Sequence, residues 1–306
     1  MEQTLQSLAR QTRRPDRVVV IDNCSTDRTE EIVKNFKDIS CEFVRNPSNL
    51  GLFQNFNRCL DYAPGTQYLH ILHGDDTIEP SFYQEMLPLL ADCNGFGLAW
   101  CVDERIDEKN QHLSLSGKVD GKIETLSRDE FLRRKAEIGN QAFCASLIKT
   151  GGETPPARFP LDYPIMGDNV FWAAFGAHCQ KLVHFHKALA KYRWHGGTET
   201  VARGPSIQSL VLDEWRAMEA NEMLRGCGWQ LSRKLKLKAL LSVRTNIKAR
   251  RIRQNGNVPY SNEVAEAGRR LAGWPLWTAG KAVVLLRDFY LFKIQGRTRH
   301  PKNIYG

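Results

Sequence analysis

The chain lacks any uninterrupted apolar run of about 18 residues, the length a helix needs to cross a bilayer, so no spanning helix is expected. The nearest stretch, 274–294, is interrupted by Lys281, Arg287, Asp288 and Lys293. It reads either as a helix packed on the rest of the protein or as one lying on a membrane surface, with Trp274, Trp277, Phe289 and Tyr290 at the interface. The cysteines at 24, 41, 59, 93, 101, 144, 179 and 227 include no CxxC pair and no zinc-ligand spacing, which argues against a dithiol redox motif or a zinc finger. Several sit in apolar runs, where a free thiol acts as a small hydrophobe. The expected home is therefore the reducing cytoplasm, with the inner face of the membrane as a peripheral option. No internal repeat or low-complexity tract is present, which excludes solenoids and arrays.

Negative charge is scarce at one end only. Residues 201–306 hold 20 Lys and Arg against 7 Asp and Glu, a net of +13, whereas residues 1–200 carry a net of −4. The basic character belongs to the tail. It reads first as a solvated helical face and second as a surface for anionic lipid. Nucleic acid is not expected as a partner, because aromatic side chains do not interleave with the basic ones as a base-stacking platform requires. The run from Leu231 to Ile252 spreads its apolar residues around the helical wheel, so no amphipathic membrane stripe is read there.

Short apolar strands alternating with helical stretches are what the chain does contain. A helix over 2–12 precedes a β-branched strand at Arg17–Ile21, a helix over 28–37, a strand at Cys41–Arg45, a helix over Leu52–Tyr62 and a strand at Tyr68–Leu72. Pro80–Leu90 reads as a helix, Gly97–Val102 and Lys181–Tyr192 as strands, residues 103–126 as a loop or hairpin excursion, and Asp168–Ala177 as a helix. Ser127 with Glu130 has capping-box spacing. From about residue 206 the pattern is helical, with a break near Asn255–Pro259. This alternation predicts an α/β fold with a doubly wound, mostly parallel sheet over 1–205 and a basic, mainly helical region over 206–306.

The most informative segment is Tyr68 to Asp76, an apolar strand that runs into His73-Gly74-Asp75-Asp76. Carboxylates at the carboxyl end of a buried strand lie where open α/β sheets bind ligands. Hard oxygen ligands there suit Mg²⁺ or Mn²⁺ on a phosphate. A second strand ends at Asp22-Asn23-Cys24-Ser25-Thr26-Asp27, a turn that either contacts a base or ribose or is merely structural. Ser25 or Thr26 is the expected cap of the helix that follows, with Glu30 and Glu31 in its first turn. Asp168 by itself reads as an acid favoured at a helix start. His184 and His186 share one face of a strand and, with no acidic or Cys neighbour close in sequence, read as structural.

Five segments in order resemble the family-2 glycosyltransferases with the GT-A fold. They are the Asp22–Asp27 turn, Asn49-Leu50-Gly51 with Asn55 and Asn57, His73–Asp76, Gly167-Asp168-Asn169, and Tyr192-Arg193-Trp194-His195-Gly196-Gly197. The resemblance implies inverting transfer of a sugar from a nucleoside-diphosphate donor to a saccharide or lipid-linked hydroxyl acceptor, in polysaccharide or glycoconjugate assembly. It implies donor contacts from Asp22, Asn23, Asn49, Gly51, Asn55, His73, Asp75 and Asp76. A divalent metal (Mg²⁺ or Mn²⁺) would rest on Asp75, Asp76 and His195, and Asp168 would be the general base. Such a metal makes diphosphate a better leaving group, and a carboxylate beside the acceptor oxygen can take its proton.

Three departures stand out. His73 occupies the first position of the usual Asp-x-Asp, and Gly167 stands where an acidic residue often precedes the base. Such domains also begin with a strand and loop, whereas this chain starts at the helix that follows them, which predicts a missing first core strand. Two alternatives are a sugar-phosphate nucleotidyltransferase, for which no Gly-rich phosphate loop is visible, and a truncated, catalytically silent domain that binds a glycan or a partner.

Overall fold

The computed structural model describes residues 1–139, 141–194, 206, 208–226, 228 and 230–288. The chain divides into two compact units: Met1–Leu132 with Asn140–Leu161 and Gly167–Arg203, and Arg133–Gly139 with Asp162–Met166 and Gly204–Gly306.

The first unit is an α/β assembly. Helix α1 (Glu2–Ala9) leads to β1 (Val19–Asp22), α2 (Thr29–Asn35), β2 (Glu42–Arg45), α3 (Leu52–Leu60), β3 (Tyr68–His70), β4 (Thr77–Ile78) and α4 (Phe82–Met86), which a 3₁₀ turn extends to Leu90. Then come the long β5 (Gly97–Ile106), β6 (His112–Leu115), β7 (Ile123–Thr125), α5 (Arg128–Ala136), β8 (Ser146–Lys149), α6 (Gly167–Gly176) and β9 (Lys181–Arg193). The last four residues of α5 count with the second unit.

Strands β1 and β2 form a two-stranded parallel sheet, and the other seven strands form a second sheet in the order β3-β8-β5-β9-β4, with β6 on β5 and β7 on β9. Parallel pairing is confined to β1 with β2 and β5 with β9. The remaining ladders are antiparallel, so the central sheet is mixed rather than mostly parallel. Two of the five antiparallel ladders belong to β8, a strand the sequence pattern does not announce. It inserts between β3 and β5 and runs against both. Among the described residues β1 has β2 as its one ladder partner and β3 has β8, which leaves an edge of each without a ladder.

Apolar packing fixes where the strand ends point. Phe82, Met86 and Leu90 pack with Ala99, Cys101, Cys144, Leu147 and Val183 in one buried cluster. A group of aromatic rings joins α3 to α6: Phe53, Phe56, Phe143, Phe159, Phe171 and Trp172, with Phe159 stacked on Phe171. Burying such rings is favourable by about 25 cal/mol per Å² of apolar surface removed from water. Ser127 caps α5 through Oγ to the Glu130 amide at 3.2 Å, as its spacing predicts. The cap of α2 differs from expectation. Asp27 accepts from the Thr29 amide and hydroxyl, while Ser25 is held by Asp22 instead.

The second unit is helical: α7 (Asp213–Met223), α8 (Leu231–Gln254), α9 (Val258–Ala272) and α10 (Trp274–Asp288). Leu210, Val211, Ala249, Ile252 and Val264 form its core. Asn257 caps α9 at the expected break. No helix among the described residues is long and apolar enough to cross a membrane.

Candidate active site

Two strand ends and one helix start carry the expected residues. At the end of β1 the Asp22 carboxylate is buried and accepts from the Ser25 amide at 3.1 and 3.2 Å, an Asx turn that closes the loop on itself. Cys24 takes a positive φ of 65° inside that turn. Arg45 braces it, with Nε 3.7 Å from Asp22 and an η-nitrogen donating to the Ser25 carbonyl at 2.8 Å. Asn23 is the hub of a polar network. Its Oδ1 accepts from the Leu50 amide (2.9 Å) and from Asn46 Nδ2 (3.1 Å), and its Nδ2 donates to Asn49 Oδ1 (3.0 Å). Asn46 in turn donates to Asn55 Oδ1 at 2.8 Å, and Asn49 Oδ1 accepts from the Gly51 amide. Gly51 has φ 80° and starts α3, a conformation that a side chain would strain. Asn23, Asn49, Gly51 and Asn55 thus form one structure, which also includes Asn46. Asn57 stands outside it and binds both the amide and the carbonyl of Phe159.

The turn after β3 brings His73, Asp75 and Asp76 together, with one ligand atom of each within 4.8 Å of the others. His73 is clamped between rings, stacked on Phe56 at 5.1 Å and tilted against Phe143 at 5.3 Å. Its Nδ1 lies 3.7 Å from Asp76, and its Nε2 is shielded from solvent and makes no hydrogen bond among the described residues. Burial holds the imidazole below its ordinary pKa despite the charge of Asp75. Asp76 is 1% exposed. One oxygen accepts from the Arg193 amide at 2.8 Å, while Oδ2 makes no aligned hydrogen bond, with the Cys144 thiol beside it. Burial first, and then the neighbouring Asp75, push the Asp76 carboxyl well above its usual range. Two adjacent carboxyls with an orphaned oxygen and an orphaned imidazole nitrogen form a donor set that a divalent cation fits.

Arg193, the last residue of β9, ties this turn down. Its Nε donates to the Asp75 carbonyl (2.8 Å), and its η-nitrogens donate to the Asp107 carbonyl (3.0 Å), Asn110 Oδ1 (2.8 Å) and Gln3 Oε1 (2.7 Å). The sequence places Arg193 in a motif without giving it a role. Its burial at a strand end is the signal that sequence reasoning misses. Next to it, Tyr192 is half-buried, and its phenol is pushed up first by that burial and then by the charges of Asp76, Asp75 and Asp168. Asp168 contributes the weakest of these charges. It opens α6, and one of its oxygens accepts from the Asn169 amide at 2.6 Å. Before it, a Cβ on Gly167 would lie 2.6 Å from the Phe53 ring, so no acidic side chain fits there. His195 lies outside the described residues.

Residues 1–150 match the family described as glycosyl transferase family 2. The chain therefore carries a domain of that family over just under half of its length. It is a glycosyltransferase with the GT-A architecture, a mixed α/β domain and a helical carboxyl-terminal region. Among solved structures, this glycosyltransferase resembles S. aureus TarS 1–349 in complex with UDP-GlcNAc, at 16% identity and a TM-score of 0.58, over 97% of this chain and 88% of that one. Longer S. aureus TarS gives 14% identity and a TM-score of 0.54, over 92% of this chain and 52% of that one. At these identities the likeness speaks for the fold. No curated protein matches the chain in sequence.

Proposed function

We propose that this glycosyltransferase moves a sugar from a nucleoside-diphosphate donor to a hydroxyl acceptor with inversion at the anomeric carbon. The observation that carries the reading is the convergence of Asp75, Asp76 and His73 in one turn, with one Asp76 oxygen and one His73 nitrogen buried and unsatisfied among the described residues. The UDP-GlcNAc in the TarS complex supports a uridine nucleotide as the first donor class to test.

In this reading the network of Asn23, Asn46, Asn49 and Asn55 and the Asp22 turn shape the pocket for base and ribose. Asp75 and Asp76 hold a divalent cation, Mg²⁺ or Mn²⁺, with His73 beside them and His195 as a further ligand; when bound, it neutralises the departing diphosphate. Arg193 keeps the two carboxylates presented, its amide donating to the Asp76 carboxylate and its guanidinium to the Asp75 carbonyl. The Asn169 amide orients the Asp168 carboxylate, which takes the proton from the acceptor oxygen as that oxygen attacks from the face opposite the diphosphate. A lipid-linked or saccharide acceptor and an anionic membrane face for the basic tail complete the reading.

The test pairs two variants. Calorimetric titration of UDP and other nucleoside diphosphates, with Mn²⁺ or Mg²⁺ and with chelator, reads donor binding, and a transfer assay reads chemistry. Asp75→Ala abolishes the metal-dependent part of donor binding. Asp168→Asn keeps donor binding while transfer falls by about 10²–10⁴-fold. Equal binding in metal and in chelator refutes the cation role, and full transfer by Asp168→Asn refutes the base.

A further inference from the structure

A second cluster of ligand-type side chains lies on the central sheet and shares no residue with the donor site. Strand β7 pairs antiparallel with β9 so that Glu124 stands opposite His184, with Ile123 opposite Phe185. Alternate residues of a strand share a face, so Glu124, His184 and His186 project from the same side. The turn before β7 wraps around His186. The His186 amide donates to the Lys122 carbonyl at 2.8 Å, and the His186 carbonyl accepts from the Asp120 and Gly121 amides at 3.1 and 3.0 Å. This wrapping carries Asp120 to the imidazole. Sequence distance hides the arrangement, which is why the two histidines read as structural until the register brings acids to them.

The three side chains offer ligand atoms that all lie within 4.8 Å of one another, close enough to share one ion. Glu124 Oε2 is 3.8 Å from His184 Nδ1 and 3.5 Å from His186 Nε2. Ligands at about 2.0–2.2 Å from a tetrahedral Zn²⁺ stand roughly 3.3–3.6 Å apart. The two imidazoles lie with ring centres 4.4 Å apart, and Trp100 stacks on His184 at 5.1 Å, fixing its plane. Both ring nitrogens of His186 are shielded from solvent and make no hydrogen bond among the described residues. On the far side of His186, Asp120 Oδ1 lies 3.3 Å from Nδ1. A carboxylate behind a ligating imidazole is the usual device for fixing its tautomer and orientation. Asp120 is itself positioned by Lys118 at 2.8 Å and by the Lys122 amide at 3.1 Å.

We propose that Glu124, His184 and His186 bind one transition-metal dication, Zn²⁺ by the chemistry of the set, with Asp120 as the partner that orients His186. Two neutral imidazoles and one carboxylate suit zinc better than Mg²⁺, which prefers an all-oxygen octahedron. The ion joins β7 and the 118–122 turn to β9, and so staples an edge of the sheet.

The full chain, stripped with chelator and dialysed, is titrated with Zn²⁺ by calorimetry and with Co²⁺ by visible absorption, and melted with and without Zn²⁺. The expected result is one tight Zn²⁺ equivalent, a tetrahedral Co²⁺ spectrum, and a melting temperature that rises with Zn²⁺. His186→Gln and Glu124→Gln remove the tight equivalent and the rise. Asp120→Asn, a substitution at a partly exposed position, weakens it by about 10–100-fold and carries the test if the other variants do not fold. Asp75→Ala leaves it unchanged, which separates this site from the donor site. Zinc affinity unaltered by Asp120→Asn together with either ligand variant overturns the proposal, as does loss of the tight equivalent in Asp75→Ala. In either case the cluster is a set of histidine–carboxylate ion pairs.

Discussion

His70 gives a pH signature of the strand that leads into the His73–Asp76 turn. It sits at the end of β3 with Nδ1 2.9 Å from the Tyr83 hydroxyl and Nε2 3.1 Å from the Cys144 carbonyl. A carbonyl can only accept, so Nε2 carries the hydrogen and Nδ1 accepts from Tyr83; the pattern is satisfied by a neutral ring. Burial lowers its pKa from 6.5 to about 4, with the hydrogen bond to the Cys144 carbonyl opposing only in part. The unfolded chain therefore binds a proton between those two values that the folded chain does not. The contribution is fully present above pH 6.5 and is lost as pH falls toward 4, at about 1.4 kcal/mol per pH unit, for a total of roughly 3 kcal/mol.

His70→Gln isolates this effect, because an amide can also donate to the Cys144 carbonyl and accept from Tyr83, yet does not titrate. Urea denaturation of both proteins at pH 7.5, 6, 5 and 4 gives the comparison. At pH 7.5 the variant is equal or slightly less stable. By pH 4 it has gained roughly 3 kcal/mol relative to the parent. Using the difference cancels Asp76 and Asp103, whose raised pKa values act in the opposite direction in the same acid range. Parallel stability curves from pH 7.5 to 4 would refute a buried, neutral His70.

Two further outcomes follow from the same geometry. Asn23→Ala leaves the Leu50 amide and Asn46 without their acceptor, so urea denaturation should show a loss of about 1–2 kcal/mol, and calorimetry a fall of tenfold or more in UDP affinity. Unchanged UDP affinity would reduce the asparagine network to a loop brace. In the helical unit, Lys248→Met removes the 2.7 Å partner of fully buried Glu214 and leaves Arg244 alone with it, which costs roughly 3 kcal/mol in urea melts; a loss below about 1 kcal/mol would show that Arg244 suffices.

Much of the fold was legible because its signals are local. The β-branched run before Asp22, the apolar run before His73 and the Ser127–Glu130 cap all read correctly within a residue or two. Strand β8 was not legible. Ser146–Lys149 is only four residues long and buried throughout, and such a run has no periodicity to distinguish strand from helix. Because β8 sets two of the five antiparallel pairings, missing it contributed to reading the sheet as mostly parallel. In the site, residue types and spacing picked out the strand ends, whereas Asn46, Arg193 and the meeting of Glu124 with His184 depend on long-range register, which no local pattern encodes.

The departures from the family pattern have different physical standing. Gly167 is explained by packing, since the Phe53 ring occupies the space a side chain would need and is itself stacked with Phe159 in the aromatic group that joins α3 to α6. An acidic residue there would cost either that ring contact or the position of α6, and with it the aim of Asp168. His73 is different, because its ring is held by Phe56 and Phe143 while one nitrogen is left without a hydrogen-bonding partner among the described residues. A side chain fixed that firmly with a polar atom unmet is a cost to the fold unless something binds it. His73 is therefore the position at which this chain departs chemically from Asp-x-Asp, a ring nitrogen standing where that motif has a carboxylate.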